Sequence, residues 1–396
     1  MTRHVRYQAW STGAELDRGI HHGSTVVDGS LVIDRPTGSR EYVDPHGVHE
    51  PGWFEHADWV SPETAPGFPF TELVASWNAS TPPGTWIEVA VAGSTADRTS
   101  SSPWYVLGRW AETDADIAPT SVPHQGDDLV DVAVDVLTTR PEQTLDSYQL
   151  RVTLFRRTGT EVSPAVRLVG AVASDLPGGP PVATSPSGGA EGTVLDVPTY
   201  SQQVHRDEYP QWGNGGEAWC SPTSTSMLLT YWGAGPEAAE YAWVDPAFQD
   251  PWVDFAARHT FDHNYGGAGN WSFNTAYAAR YGMVAYVTRL RSLTEAEQFI
   301  KAGIPLVVTV SFAADELDGA GYATLGHLLT IIGFDETGNV VSNDPASHHV
   351  PSNDDVRTTY DRAQFENVWI GRTGGIAYVI HPPGHVLPDR PAEPNW

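Results

Sequence analysis

The chain of 396 residues carries 49 acidic and 22 basic side chains, a formal charge of -27, and lysine only at Lys301. That balance argues against a nucleic-acid backbone or an anionic membrane surface as partner, because both need clustered Lys and Arg. Hydrophobic residues at 40% and aromatics at 11% suffice for packed cores, and the length exceeds what one core usually fills, so two domains are expected.

The opening MTRHVRYQAWSTGAELDRG has no apolar signal-peptide core, and no run of about 18 apolar residues occurs further on. The chain as written is therefore expected to be soluble and unanchored, either inside the cell or exported behind a leader since removed.

Residues 1–174 read as an all-β sandwich. Segments rich in β-branched and aromatic residues recur at 85–91, 104–110, 128–137, 147–156 and 165–173, separated by turn-rich spacers, and no helix of useful length is evident. In SYQLRVTLFR, Tyr148, Leu150, Val152 and Leu154 share one face, and Gln149, Arg151 and Thr153 the other. Trp53, Trp59, Trp77, Trp86, Trp104 and Trp110 read as sandwich core or loop supports. A sugar-stacking platform, and with it a carbohydrate contact, is the alternative. Residues 175–193, dense in Pro, Gly, Ser and Ala without periodicity, read as a linker with exposed backbone.

The remaining residues, 194–396, change character. Helical stretches are expected at 221–232, 250–261, 272–282 and 292–303, the last opened by a capping box from Ser292 to Glu295 and closed by Gly303. Strands are expected at 304–312, 327–334, 339–344 and 376–382. Helices first and an antiparallel sheet afterwards is an α+β order.

The single cysteine, Cys220, stands in GGEAWCSPTSTSMLLTYWG, where Pro222 suits the first helical turn. A thiol there sits at the positive end of a helix dipole, which favours thiolate. A lone cysteine is commonly just a small buried hydrophobe. Here Gly215, Gly216, Trp219 and the helix-start signals favour a nucleophile, and the lack of a second cysteine excludes an internal disulfide, a zinc ribbon and a dithiol redox motif.

A nucleophilic thiol needs a base. The stretch GHLLTIIGFDETGNVVSNDP, 326–345, reads as a β-hairpin turning at DETG. An even loop centred on Glu336 and Thr337 places Asp344 opposite Leu329 and diagonal to His327, on one face, so that its carboxylate accepts the Nδ1 hydrogen of the imidazole. An odd loop reverses the faces. The oxyanion of acyl transfer needs donors; the Cys220 amide is one candidate, and Gln202, Gln203 and Gln211 all remain open for the other. SHHVPSNDD, 347–355, reads as a solvated loop, since adjacent histidines point apart on a strand. No metal or cofactor motif is present.

In order and kind, VPTYSQ, WCSPTSTSMLL and GHLLTIIGFDETGNVVSNDP resemble the cysteine peptidases related to bacteriocin double-glycine leader peptidases, from about residue 195 to 382. The resemblance implies a papain-like fold and a peptide or protein substrate. It also implies Gln202 as oxyanion donor, Cys220 as nucleophile, His327 as base and Asp344 as the carboxylate orienting it. FTELVASWNASTPPGTWIEV looks like a region found beside such domains in actinobacterial proteins. Leader peptidases of this kind are fused to membrane transporters; here nothing spans a membrane or suggests an ATPase phosphate loop, so double-glycine specificity is not carried over. Transamidation, or a catalytically inert papain-like scaffold in a carbohydrate- or cell-surface-binding protein, are the competing readings.

Overall fold

A computed structural model describes residues 2–396. The chain divides into two compact units, His4–Asp175 with Asp262–Gly266 and Trp396, and Leu176–Phe261 with Gly267–Asn395.

The first unit is built on two antiparallel sheets, of eight and six strands. Glu72–Ser80 and Ala165–Asp175 form the spine of the larger, with His4–Trp10 added in the register His4↔Asp175 to Trp10↔Val169. Ser147–Arg157 runs through the smaller between Gly52–Val60 and Thr85–Ser94. Its predicted face, Tyr148, Leu150, Val152 and Leu154, is buried throughout. Arg151 on the other face lies over the Trp104 ring. Trp10 of one sheet meets Trp59 of the other edge-on at 5.7 Å, so the sheets face one another across a common core. Trp59, Trp77, Trp86 and Trp110 are fully buried, as core tryptophans would be, while Trp53 is exposed.

The expected strand at 128–137 is in fact a hairpin, Val130–Ala133 against Val136–Thr139. Its turn places Val134 at φ 59°, a left-handed conformation that a β-branched residue seldom adopts, so the alternation of Val and Asp ran through the turn unmarked.

In the second unit the helices Cys220–Tyr231, Pro251–Thr260, Trp271–Arg280 and Leu293–Lys301 accompany a six-stranded antiparallel sheet. The sheet runs in the order 284–289, 376–381, 306–312, 324–334, 340–343 and 357–360. The expected order of helices before strands fails at Val284–Arg289, an edge strand inserted before the last long helix. Half of the expected capping box forms: the Ser292 hydroxyl accepts the Glu295 amide, but the Glu295 carboxylate accepts the Arg291 amide.

The Cys220–Tyr231 helix is buried on nearly every side although it is rich in Ser and Thr. Small side chains let it approach its neighbours closely, and the hydroxyls are satisfied. Thr223 donates to the Trp219 carbonyl, Ser224 to the Leu328 carbonyl, and Ser221 shares a hydrogen bond with Tyr378. Each bond removes a desolvation penalty that burial would otherwise impose.

The stretch read as a linker is irregular but not free. The Val182 amide donates to Asn367, the Ser185 amide to Glu366, and the Gly188 and Ala190 amides to the buried Glu297 carboxylate, which also pairs with Arg362. Its glycines and prolines pass over a surface that supplies acceptors, which composition alone does not reveal. Glu297→Ala removes charge-assisted bonds worth on the order of 1.5–3 kcal/mol each. We expect it to lower the unfolding midpoint and to open 183–193 to subtilisin, whereas in the parent chain that segment is expected to resist cleavage; mass spectrometry of the first fragments checks this.

Candidate active site

Cys220 is the first residue of its helix, after Trp219, whose side chain makes no capping bond. The amides of the first turn therefore lack intrahelical partners and face the thiol end. Cys220 is half-buried. Burial pushes its thiol up. The hydrogen bond and charge of the His327 imidazole, with the Leu328 and Ser221 amides, more than offset that and bring it below the ordinary value.

His327 lies in the strand Thr324–Phe334, opposite Val310. One helical turn beyond Cys220, the Ser224 hydroxyl is bonded to the Leu328 carbonyl at 3.2 Å, which fixes how far along the strand the helix sits. The imidazole Nε2 meets the Asp344 Oδ1 at 2.8 Å. The nitrogen facing the carboxylate is therefore Nε2 and not the Nδ1 expected from the strand register. A diagonal neighbour across strands is far enough away that the distal ring nitrogen makes the reach, and Nδ1 is left for the thiol. Burial lowers the imidazole pKa, but Asp344 and the Cys220 thiolate raise it to about 10.

Asp344 is fully buried, yet its carboxyl is held below the usual range. Burial pushes it up; the His327 charge and hydrogen bond, then the Tyr360 and Tyr322 hydroxyls, pull it down further than burial raises it. Tyr322 and Tyr360 donate to Oδ2 at 2.8 and 2.6 Å, and the Ala346 amide donates to Oδ1 at 3.0 Å. Neither tyrosine was singled out from the sequence. Tyr322 stands in the loop that leads into the His327 strand, and Tyr360 is brought in by the strand that pairs with 340–343.

The hairpin reached this placement by a route the sequence argument did not foresee. Phe334 pairs with Val340, so the loop is 335–339, of odd length. A bulge between Ile331 and Gly333 then restores the even register, and Ile331 pairs with Ser342 and Thr330 with Asn343. The Ile332 carbonyl, displaced from the ladder, accepts the Leu195 amide at 2.8 Å.

Of the three glutamines, Gln202 is the one joined to the cysteine segment. Its Nε2 donates to the Glu217 carbonyl at 2.6 Å, leaving one amide hydrogen uncommitted. Gln203 binds Arg206 through its oxygen, and Gln211 is exposed. A Cβ on Gly216 would lie within 2.5 Å of both Gln202 and His205 backbone atoms, so only glycine lets the two segments meet. In the 347–355 loop, His348 bonds Ser347, and His349 packs on the Tyr322 ring. The cluster suited to a cation lies elsewhere, at His205, Glu208 and Asp254. The spacing of the first two, H-x-x-E, was the only local signal for it.

A thiol, an imidazole and a buried carboxylate linked in this order are the constellation of thiol-dependent acyl transfer. Two family profiles match the chain: the Peptidase C39 N-terminal domain over residues 6–174 and the Peptidase_C39 like family over residues 194–376. The chain belongs to this C39 group of papain-like cysteine peptidase families. No curated protein matches it.

Among solved structures, one of carbohydrate-binding modules from the beta-sandwich super family matches at 11% identity and a TM-score of 0.18, over 41% of this chain and 55% of that one. The CBM22-1-GH10 modules of Clostridium thermocellum endo-1,4-beta-D-xylanase 10B, complexed with xylohexaose, match at 9% and 0.21, over 51% and 33%. The chain thus spans about half and a third of these neighbours' lengths.

Because the Asp344 charge sustains the imidazolium and the imidazolium sustains the thiolate, the iodoacetamide alkylation rate should rise with pH at a half-point below the ordinary thiol value of about 8.5. In Asp344→Asn the imidazole pKa falls, the thiol pKa climbs, and the half-point should move to higher pH. In Tyr360→Phe, which removes one of the carboxylate's donors, it should move less.

Proposed function

We propose that the chain is a cysteine peptidase that hydrolyses a peptide or other amide bond, its second unit an α+β papain-like domain and its first a β-sandwich accessory domain. The observation that carries the reading is the Cys220–His327–Asp344 chain, whose carboxylate is held anionic and imidazole cationic beside a thiol shifted toward its anion. Cys220 is the nucleophile, and its sulfur attacks the carbonyl carbon. The Cys220 amide and the uncommitted Gln202 hydrogen donate to the oxygen that becomes negative. His327 gives its Nδ1 proton to the leaving amine, and the acyl-thioester forms as the C–N bond breaks. Water, deprotonated by His327, then releases the acid. Asp344 holds the ring and balances its charge through both halves.

The surface beside His327 suits an acyl substrate. Leu325, two residues earlier on the strand, is 99% exposed, and with Phe312, Ala313 and Thr324 it lines a groove that also contains the Glu316–Arg372 ion pair.

An acyloxymethyl ketone probe is expected to label the parent chain at Cys220 and not Cys220→Ala, and a mixed peptide library should show cleavage with the parent alone. Asp344→Asn should retain the fold by circular dichroism and lose turnover by about 10²–10⁴-fold. Probe labelling without any cleavage of peptide or protein amides would leave the thiol reactive but remove the peptidase assignment; absence of labelling would remove the nucleophile.

A further inference from the structure

His205, Glu208 and Asp254 converge in the interior of the second unit, all three buried, with one ligand atom from each lying within 4.8 Å of the others. His205 ends the short turn Gln202–His205, and Asp254 comes from the helix Pro251–Thr260. The His205 Nδ1 meets Glu208 Oε2 at 2.8 Å and Asp254 Oδ2 at 3.3 Å. A ring nitrogen has one hydrogen to give, and Glu208 is the nearer acceptor. Asp254 is left with both carboxylate oxygens lacking a hydrogen bond although the residue is 0% exposed, and the His205 Nε2 is likewise buried without a partner. Two carboxylates and one imidazole thus share a dry interior in which Asp254 has no close donor of its own.

We propose that this trio binds a divalent cation of the zinc type, with a water completing the coordination. One imidazole nitrogen and two carboxylate oxygens are a donor set suited to such a metal. Bonds of about 2.0–2.1 Å in tetrahedral geometry put neighbouring ligand atoms roughly 3.3 Å apart, the spacing seen between His205 and Asp254. Glu208, closer now, moves out by a few tenths of an ångström once the metal replaces the shared hydrogen. Two carboxylates neutralise the cation, so the filled site carries no net charge.

Its place gives it a structural task. The His205 ring stands 5.9 Å from that of Trp219, the residue before Cys220, and Gly216 lies against the His205 backbone. The cation would tie the turn carrying Gln202 and the segment leading into Cys220 to a helix that supplies neither.

The test uses the full chain as Cys220→Ala, so that the thiol–imidazole pair cannot itself hold metal. Purified without chelator, it should retain about one equivalent of zinc or a similar divalent ion by elemental mass spectrometry. After stripping with EDTA, added zinc should raise its unfolding midpoint, and cobalt should give the visible absorption of a low-coordinate site. Adding Asp254→Asn should abolish the zinc-dependent rise and the cobalt spectrum. Should that variant fail to fold, the stoichiometry and cobalt spectrum of the Cys220→Ala chain decide alone. No retained metal, with no effect of zinc or cobalt on the stripped chain, would overturn the site and assign the cluster to a proton shared among the three groups.

Discussion

A carboxylate without water stays ionised only when protein donors replace its hydration, and at Asp344 four of them do. The Ala346 amide is local, whereas Tyr322, His327 and Tyr360 come from a loop and two strands. Stripping any one leaves the rest holding a charge in a medium where an unsatisfied group costs about 1–3 kcal/mol or more. The proposed thiolate depends on this at one remove: the anion at Asp344 keeps the imidazole cationic, and the imidazole keeps the sulfur anionic. The sheet order, in which 324–334, 340–343 and 357–360 are neighbours, is what brings these donors together.

The second requirement is that the sulfur meet the ring. A helix and a strand can slide along each other at small cost when their contact is purely apolar, because dispersion is not directional. The contact here contains a hydroxyl-to-carbonyl bond from Ser224 to Leu328, one turn from the thiol and one residue from the imidazole. This fits a helix whose first turns bury Ser and Thr and only whose later part buries Met227, Leu228 and Leu229, a composition poor for helix propensity and for a hydrophobic stripe.

Much of this was legible locally. Proline in the first turn, Ser292 at a helix start, period-two runs and the paired order of cysteine and histidine stretches are short-range signals, and apart from the run at 128–137 the elements they mark are present within about three residues. What the sequence hid is non-local or compensating. The bond from Tyr360 to Asp344 depends on strand order. The Pro/Gly/Ser stretch looks like a free tether because its partners, Glu297 and Glu366, are more than a hundred residues away. The hairpin held two departures from the simplest geometry, an odd loop and a bulge, and each undoes the other's effect on which face Asp344 occupies. The nitrogen facing Asp344 was misjudged for a related reason: a register argument fixes which residues are neighbours, not which atom spans the gap.

The bulge at Ile332 has one more effect. In an unbroken ladder, every change in the turn is transmitted to the strand ends, because a slip of one residue inverts all subsequent faces. Here the displaced carbonyl is anchored by Leu195, outside the hairpin, so the pairing beyond it has a reference point independent of the turn. The hairpin behaves as two segments joined by a clutch. In the distal one only the tip, Glu336 and Thr337, is exposed, so a change of side chain there is absorbed before it reaches the proximal one, where histidine and aspartate stay aligned.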